Sequence, residues 1–260
     1  MADYIHGGTD LREVARLSKQ ALVWVAPRML DDFTASPGMR VLDLGTGVGA
    51  MAAVLARRHP GIELWGVDLQ APQLRQACAL HPVARYVQAD AARMPFPEAS
   101  FDRVHGTWVL EHIPDVPAVL TEVHRILVPG GQCFFLEVNN TTLQLTPPLP
   151  EVEMATEALN RAQLAAGGDP YIGQKLDRLL RAAGFSSVRV RPLDIVGNAA
   201  DPETLRATCD ELAEIFDSLD EALGPEHARL LQAAAARSRE LPGLPGAEIR
   251  YRPMSALATK

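Results

Sequence analysis

The stretch Val41-Leu42-Asp43-Leu44-Gly45-Thr46-Gly47-Val48-Gly49 constrains this chain more than any other. An apolar run leads into three closely spaced glycines, and a helical pattern carrying Met51, Val54 and Leu55 comes at once after them. That order predicts a buried strand, a tight turn and the start of a helix. Glycine takes positive φ without a Cβ penalty. Its bare backbone also lets a ligand lie against the turn, with the free N–H groups of the next helix aimed at it. Asp43 sits two residues before the first glycine, where a carboxylate can brace the turn or receive a cationic group. Gly45, Gly47 and Ala50 also fit the dinucleotide pattern G-x-G-x-x-G/A, so the turn alone does not choose its ligand.

Further strands at intervals along the chain narrow the choice. Residues 62–69 read as a second strand ending in Asp68, the usual place for an acid that holds ribose hydroxyls. Residues 85–91 form a third strand ending in Asp90. Residues 101–112 form a fourth that runs through Gly106 and Thr107 into Leu110-Glu111-His112. Pro129-Gly130-Gly131 then precedes a fifth, Gln132 to Val138. Over about residues 38–195 this series resembles the class I S-adenosylmethionine-dependent methyltransferases, of the small-molecule type that includes quinone and natural-product enzymes.

The resemblance implies a Rossmann-like α/β fold. Its seven-stranded, mostly parallel sheet has helices on both faces, an antiparallel last strand and helical cap insertions. It implies S-adenosyl-L-methionine as cofactor, with S-adenosyl-L-homocysteine as product. The Gly45-Thr46-Gly47 turn and Asp43 would meet its methionine part, Asp68 its ribose and Asp90 its adenine amine. Leu69 and Ala91 would flank the ring, and the backbone near Gly106 and Thr107 would take the amino group. In such proteins N-terminal helices cover the cofactor, so Tyr4 and Arg16 can reach the methionine end or stand on a solvated arm and helix face.

At 260 residues with 47% hydrophobic content, one large α/β domain is expected. Its organisation reads as a helical cover over residues 1–35 and a main domain over 36–260, with helical insertions at about 140–172 and 197–243. The net charge of −7 argues against a nucleic-acid or anionic-membrane surface. Cys78, Cys133 and Cys209 are unevenly spaced and lack any C-x-x-C, so no disulfide framework or metal site is expected. With neither a signal-peptide pattern nor a long apolar run, a cytoplasmic monomer or homodimer is the expectation.

Asp10 is a candidate N-cap, and Leu11, Val14, Ala21 and Val25 recur at helical spacing. Pro27 interrupts them, and Met29, Leu30 and Phe33 suggest a second short helix. After Pro72, Leu74, Ala77 and Cys78 suggest a packed helix face. Val116 to Leu127 form another helix, stopped by Pro129-Gly130-Gly131. Helices are expected over 151–165 and from Leu176 to Ala183, with Gly184 as C-cap. Val188 to Leu193 is a sixth strand. Asp201-Pro202 starts a long helix, Pro225 another, and Ala247 to Ala258 is a single extended seventh strand.

A sulfonium donor carries its own leaving group, so alignment and desolvation can suffice for direct in-line transfer to an O, N or C atom. A base is needed only if the acceptor must lose a proton. His112, just past the fourth strand, is the candidate, with a helix-start role as the alternative. His105 lies inside a strand and reads as structural. The expected function is methyl transfer to a small organic acceptor in secondary metabolism. The alternative is a protein of the same fold that binds the cofactor without methylating.

Overall fold

The computed structural model describes residues 11–25, 29–219, 223–225 and 227–260. Tyr4, the candidate cap Asp10 and Pro27 lie outside them. Strands β1 (Arg40–Leu44), β2 (Glu63–Asp68), β3 (Arg85–Gln88), β4 (Phe101–Thr107) and β5 (Leu127–Glu137) are joined by helices, except that an irregular segment links β3 to β4. The helices are α2 (Ala50–Arg58), α3 (Ala71–Leu80) and α4 (Val116–Ile126). With β7 (Ser186–Pro192) and β10 (Met254–Thr259) the strands form a seven-stranded sheet of order β3-β2-β1-β4-β5-β10-β7. β10 is antiparallel to both its neighbours, β5 and β7. This is the expected Rossmann-like sheet, and its strand order reverses between β1 and β4, where such sheets open a ligand crevice.

The β1 apolar run is buried because helices cover both faces. Leu42, Leu44, Val104 and Phe135 pack toward α4 and α6 (Leu176–Ala182). Val41, Phe134 and Leu136 pack with α2 and with Leu30 and Phe33 on the other face. The cap is a third cluster. Helices α5 (Pro150–Ala165), α7 (Pro202–Asp217) and α8 (Ala228–Glu240) bury Val152, Leu205, Phe216 and Leu231 together with Ile249. Ahead of β1 lie α1 (Leu11–Lys19) and a π-helical stretch, Gln20–Val25.

Four local expectations are corrected. The extended C-terminal segment is two strands. β9 (Glu248–Tyr251) leaves the main sheet and pairs with β6 (Gln144–Thr146) and β8 (Ile195–Gly197), and β10 begins only after Arg252-Pro253. Pro129-Gly130-Gly131 lies inside β5, because α4 already ends at Ile126, and the β4–β5 register shifts there. Met29 to Phe33 is a turn that buries its apolar side chains without a helix. Cys78 is exposed, since Leu74 and Ala77 alone hold the apolar buried face of α3.

Candidate active site

The chain leaves β1 through Gly45, whose φ of 67° favours glycine. A Cβ there would stand 2.3 Å from Cγ2 of Val109. The Gly47 N–H donates to Oδ2 of Asp68 at 2.9 Å, and the Gln70 N–H donates to Oδ1 at 2.8 Å. Burial raises the Asp68 carboxyl above the ordinary aspartate range, opposed by those backbone donors. Each carboxylate oxygen has a further lone pair for a hydroxyl donor. Asp90 is exposed and accepts the Ala92 N–H at 2.9 Å. Leu69, 42% exposed, and Ala91 stand beside it on the wall of one cavity.

Both oxygens of Asp43 are engaged inside the protein. Thr46 Oγ1 donates to Oδ2 at 2.7 Å, and His105 Nδ1 lies 2.9 Å from Oδ1. Asp43 thus braces the turn, and it also lines the cavity. Nε2 of His105 lies 3.0 Å from Thr107 Oγ1. Thr107 lines the cavity, but Gly106 does not. A Cβ on Gly106 would come within 2.8 Å of the Phe135 ring, so glycine there answers to packing within the sheet.

The cavity measures about 610 Å³, within the roughly 300–1,000 Å³ usual for ligand pockets. It runs from the Gly45–Asp68 cleft to the cap. There its walls are Thr156, Leu159 and Gln163 of α5, Leu212 and Ile215 of α7, Leu143, and Tyr251 of β9. Arg16 also reaches it, with its guanidinium committed. Nη1 is 3.0 Å from Glu211 Oε1, and Gln20 Nε2 donates to the same oxygen at 2.7 Å. This buried pair ties α1 to α7.

His112 lines the cavity within a 3₁₀ turn, Leu110–His112. Its Nε2 lies 3.7 Å from Glu111 Oε1, and Gln163 Nε2 donates to Glu111 Oε2 at 2.7 Å. The turn hangs from Glu137, which sequence reading missed. This fully buried carboxylate ends β5 and accepts the N–H groups of Val109, Leu110 and Glu111 at 3.2, 3.0 and 3.4 Å. Burial, then the nearby Glu111 carboxylate, push it well above the ordinary glutamate range. Its one signal in the sequence is an acid closing the apolar run Cys133-Phe134-Phe135-Leu136. Trp108, between Thr107 and this turn, has φ 49°, a strained value for a bulky residue. Among the described residues no cluster of three or more histidine, cysteine or acidic side chains is placed to hold a metal.

The sheet order, the glycine turn and the strand-end acids define the class I methyltransferase fold. Residues 42–135 match the family described as a methyltransferase domain. A demethylmenaquinone methyltransferase of Thermus thermophilus is 39% identical over 102 residues, covering 38% of this chain and 46% of that protein. Methyltransferase str2 of Strobilurus tenacellus is 30% identical over 162 residues, covering 61% and 58%. The chain thus spans about half the length of these curated relatives. Phosphoethanolamine N-methyltransferase 2 of Haemonchus contortus, solved with phosphomonomethylethanolamine and S-adenosylhomocysteine, superposes with a TM-score of 0.64 at 16% identity. That superposition covers 99% of this chain and 61% of the other, and it is a likeness of fold.

Proposed function

We propose that this protein transfers a methyl group from S-adenosyl-L-methionine to a small organic acceptor by direct in-line displacement at an O, N or C atom. One observation carries the reading: a single cavity joins the Gly45–Asp68 cleft to the cap helices α5 and α7, so donor and acceptor can lie end to end. The names of the sequence relatives support it. The cleft fits the donor. Asp68 offers two oxygens to a ribose diol, Asp90 a carboxylate to the adenine amine, and Leu69 with Ala91 apolar faces to the ring. With no pyrophosphate to hold, the buried Asp43 carboxylate beside the turn is tolerated.

When bound, the donor supplies a methyl group already activated on a sulfonium. The protein's part is to hold both reactants and exclude water. Leu143, Leu159, Leu212 and Ile215 make the acceptor end apolar. Such alignment is worth about 7–11 kcal/mol of barrier. His112, on the cavity wall beside Glu111, would be the group to take a proton from an acceptor hydroxyl or amine. The same reading carries a cytoplasmic enzyme of secondary metabolism, a monomer or homodimer with no nucleic-acid or membrane partner. The chain's net charge of −7 supports the last point. No helix among the described residues is long and apolar enough to cross a membrane.

The test is to incubate the protein with S-adenosylmethionine and a panel of phenols, quinones and amines, and to measure S-adenosylhomocysteine by mass spectrometry. Acceptor-dependent product supports the reading. Tight cofactor binding with no product from any acceptor favours the non-methylating alternative.

A further inference from the structure

Asp43, His105 and Thr107 form a line of hydrogen bonds whose two ends, Asp43 and Thr107, lie on the cavity wall, with the buried His105 ring joining them. Asp43 of β1 and His105 of β4 are register partners, so their side chains stand side by side on one face of the sheet. The two-residue spacing puts Thr107 on that face as well. The His105 ring is fully buried, edge-on to Phe33 at 5.4 Å and stacked on Phe134 at 5.9 Å. Its two nitrogens meet two different partners, Asp43 Oδ1 at 2.9 Å and Thr107 Oγ1 at 3.0 Å. The other Asp43 oxygen is held by Thr46, so the carboxylate cannot turn away.

This geometry orders the protons. A carboxylate oxygen accepts, so the imidazole proton sits on Nδ1, toward Asp43. Nε2 then presents a lone pair. A threonine hydroxyl has one proton to give, and here it goes to Nε2. Only lone pairs of Thr107 Oγ1 remain to face the cavity.

We propose that the Asp43–His105 pair fixes the Thr107 hydroxyl as an acceptor for a cationic group, the α-ammonium of the methyl donor. The proposal rests on the cofactor reading above. An ordinary threonine hydroxyl rotates to donate or accept and so meets an ammonium or a carboxylate equally well. Here the donor option is used up, and the amino acid end of the ligand is oriented with its ammonium toward β4. Placement agrees: Leu44 is paired with Gly106, so the Gly45 turn lies next to Thr107 across the two strand ends. Thr107 is the binding residue in this scheme, and His105 and Asp43 are positioning residues that act through it.

Two measurements test it. Nitrogen-15 NMR of the histidine-labelled protein should show His105 with a proton on Nδ1 and none on Nε2. A proton on Nε2, alone or with Nδ1, overturns the proposal. Calorimetry compares S-adenosylhomocysteine with its analogue lacking the α-amino group. Thr107→Val should bind S-adenosylhomocysteine about ten- to a hundredfold more weakly, the range for a hydrogen bond to a charged group, and Thr107→Ser should restore affinity. The deaminated analogue should bind wild type and Thr107→Val alike. An equal loss for both ligands, or no loss for either, overturns the assignment while wild-type affinity leaves the cofactor reading intact. Failure of the wild type to bind S-adenosylhomocysteine overturns the cofactor reading and this assignment together.

Discussion

Glu137 Oε1 accepts the Leu110 N–H at 3.0 Å, so the end of the fifth strand holds the turn that carries His112. That carboxyl is raised well above its ordinary value by burial. The folded protein therefore binds more proton than the unfolded chain between the two values, and stability falls as pH rises through that window. Glu137→Gln keeps an oxygen for the Val109 and Leu110 donors and removes the ionisation. Urea unfolding across the acid-to-neutral range should show a flatter pH dependence for Glu137→Gln than for wild type. Superimposable slopes would show that Glu137 ionises in the fold as it does in the unfolded chain.

Arg16 and Glu211 are both almost fully buried, with side chains 7% and 5% exposed. Removing one partner of such a pair costs about 3–5 kcal/mol, because the other is left uncompensated. Arg16→Met should destabilise by about that much at neutral pH, and Arg16→Met with Glu211→Leu should regain most of it. The Glu211 carboxyl is raised by burial, so the deficit of Arg16→Met should shrink on acidification, as that acid takes up its proton. Unfolding curves of wild type, the two single variants and the double variant decide this, and a double variant no better than Arg16→Met contradicts it.

His112→Ala tests the base. If His112 removes a proton from the acceptor, single-turnover transfer should fall by about 10²–10⁴-fold. Affinity for S-adenosylhomocysteine and the melting temperature should stay close to wild type, since Glu137 rather than His112 holds the turn. A normal transfer rate would remove His112 from the chemistry and leave alignment as the source of catalysis.

The strand-turn-helix at 41–58 was legible because its signals are contiguous: an apolar run, glycines, then a helical stripe. The sheet was legible from five strand patterns in series, several of them followed by helical stripes. The small sheet was not legible. Its strands are three or four residues long and come from segments some fifty residues or more apart, so no local periodicity marks them. The β9–β10 break at Arg252-Pro253 was hidden by continuous extended character on both sides. In the site, Gly45, Gly47 and Asp68 announce themselves by position. The Asp43–His105 pair spans 62 residues, and Glu137 reaches back to a turn more than twenty residues earlier. Networks of that kind exist only once the sheet has set its register. The Arg16–Glu211 pair spans 195 residues, so no local pattern marks it.

The cysteines should differ sharply in reactivity. Burial pushes the Cys209 thiol up to about 12 and the Cys133 thiol higher still, whereas Cys78 is exposed. Native iodoacetamide labelling with peptide mapping should modify Cys78 and spare the other two. Replacing all three by Ala or Ser should leave transfer within about tenfold, or ~1.4 kcal/mol, in any variant that folds. A larger loss in a folded variant would point to a cysteine in the reaction.

The central claim is that the Gly45–Asp68 cleft holds S-adenosylmethionine. Calorimetric titration of S-adenosylhomocysteine, with a reduced nicotinamide dinucleotide in parallel, tests it most directly. Wild type should bind the first and not the second. Asp68→Ala, shown to be folded by circular dichroism, should lose about 1.5–3 kcal/mol of affinity, the range for a hydrogen bond involving a charged group. Unchanged affinity in folded Asp68→Ala, or preference for the dinucleotide, would contradict the account.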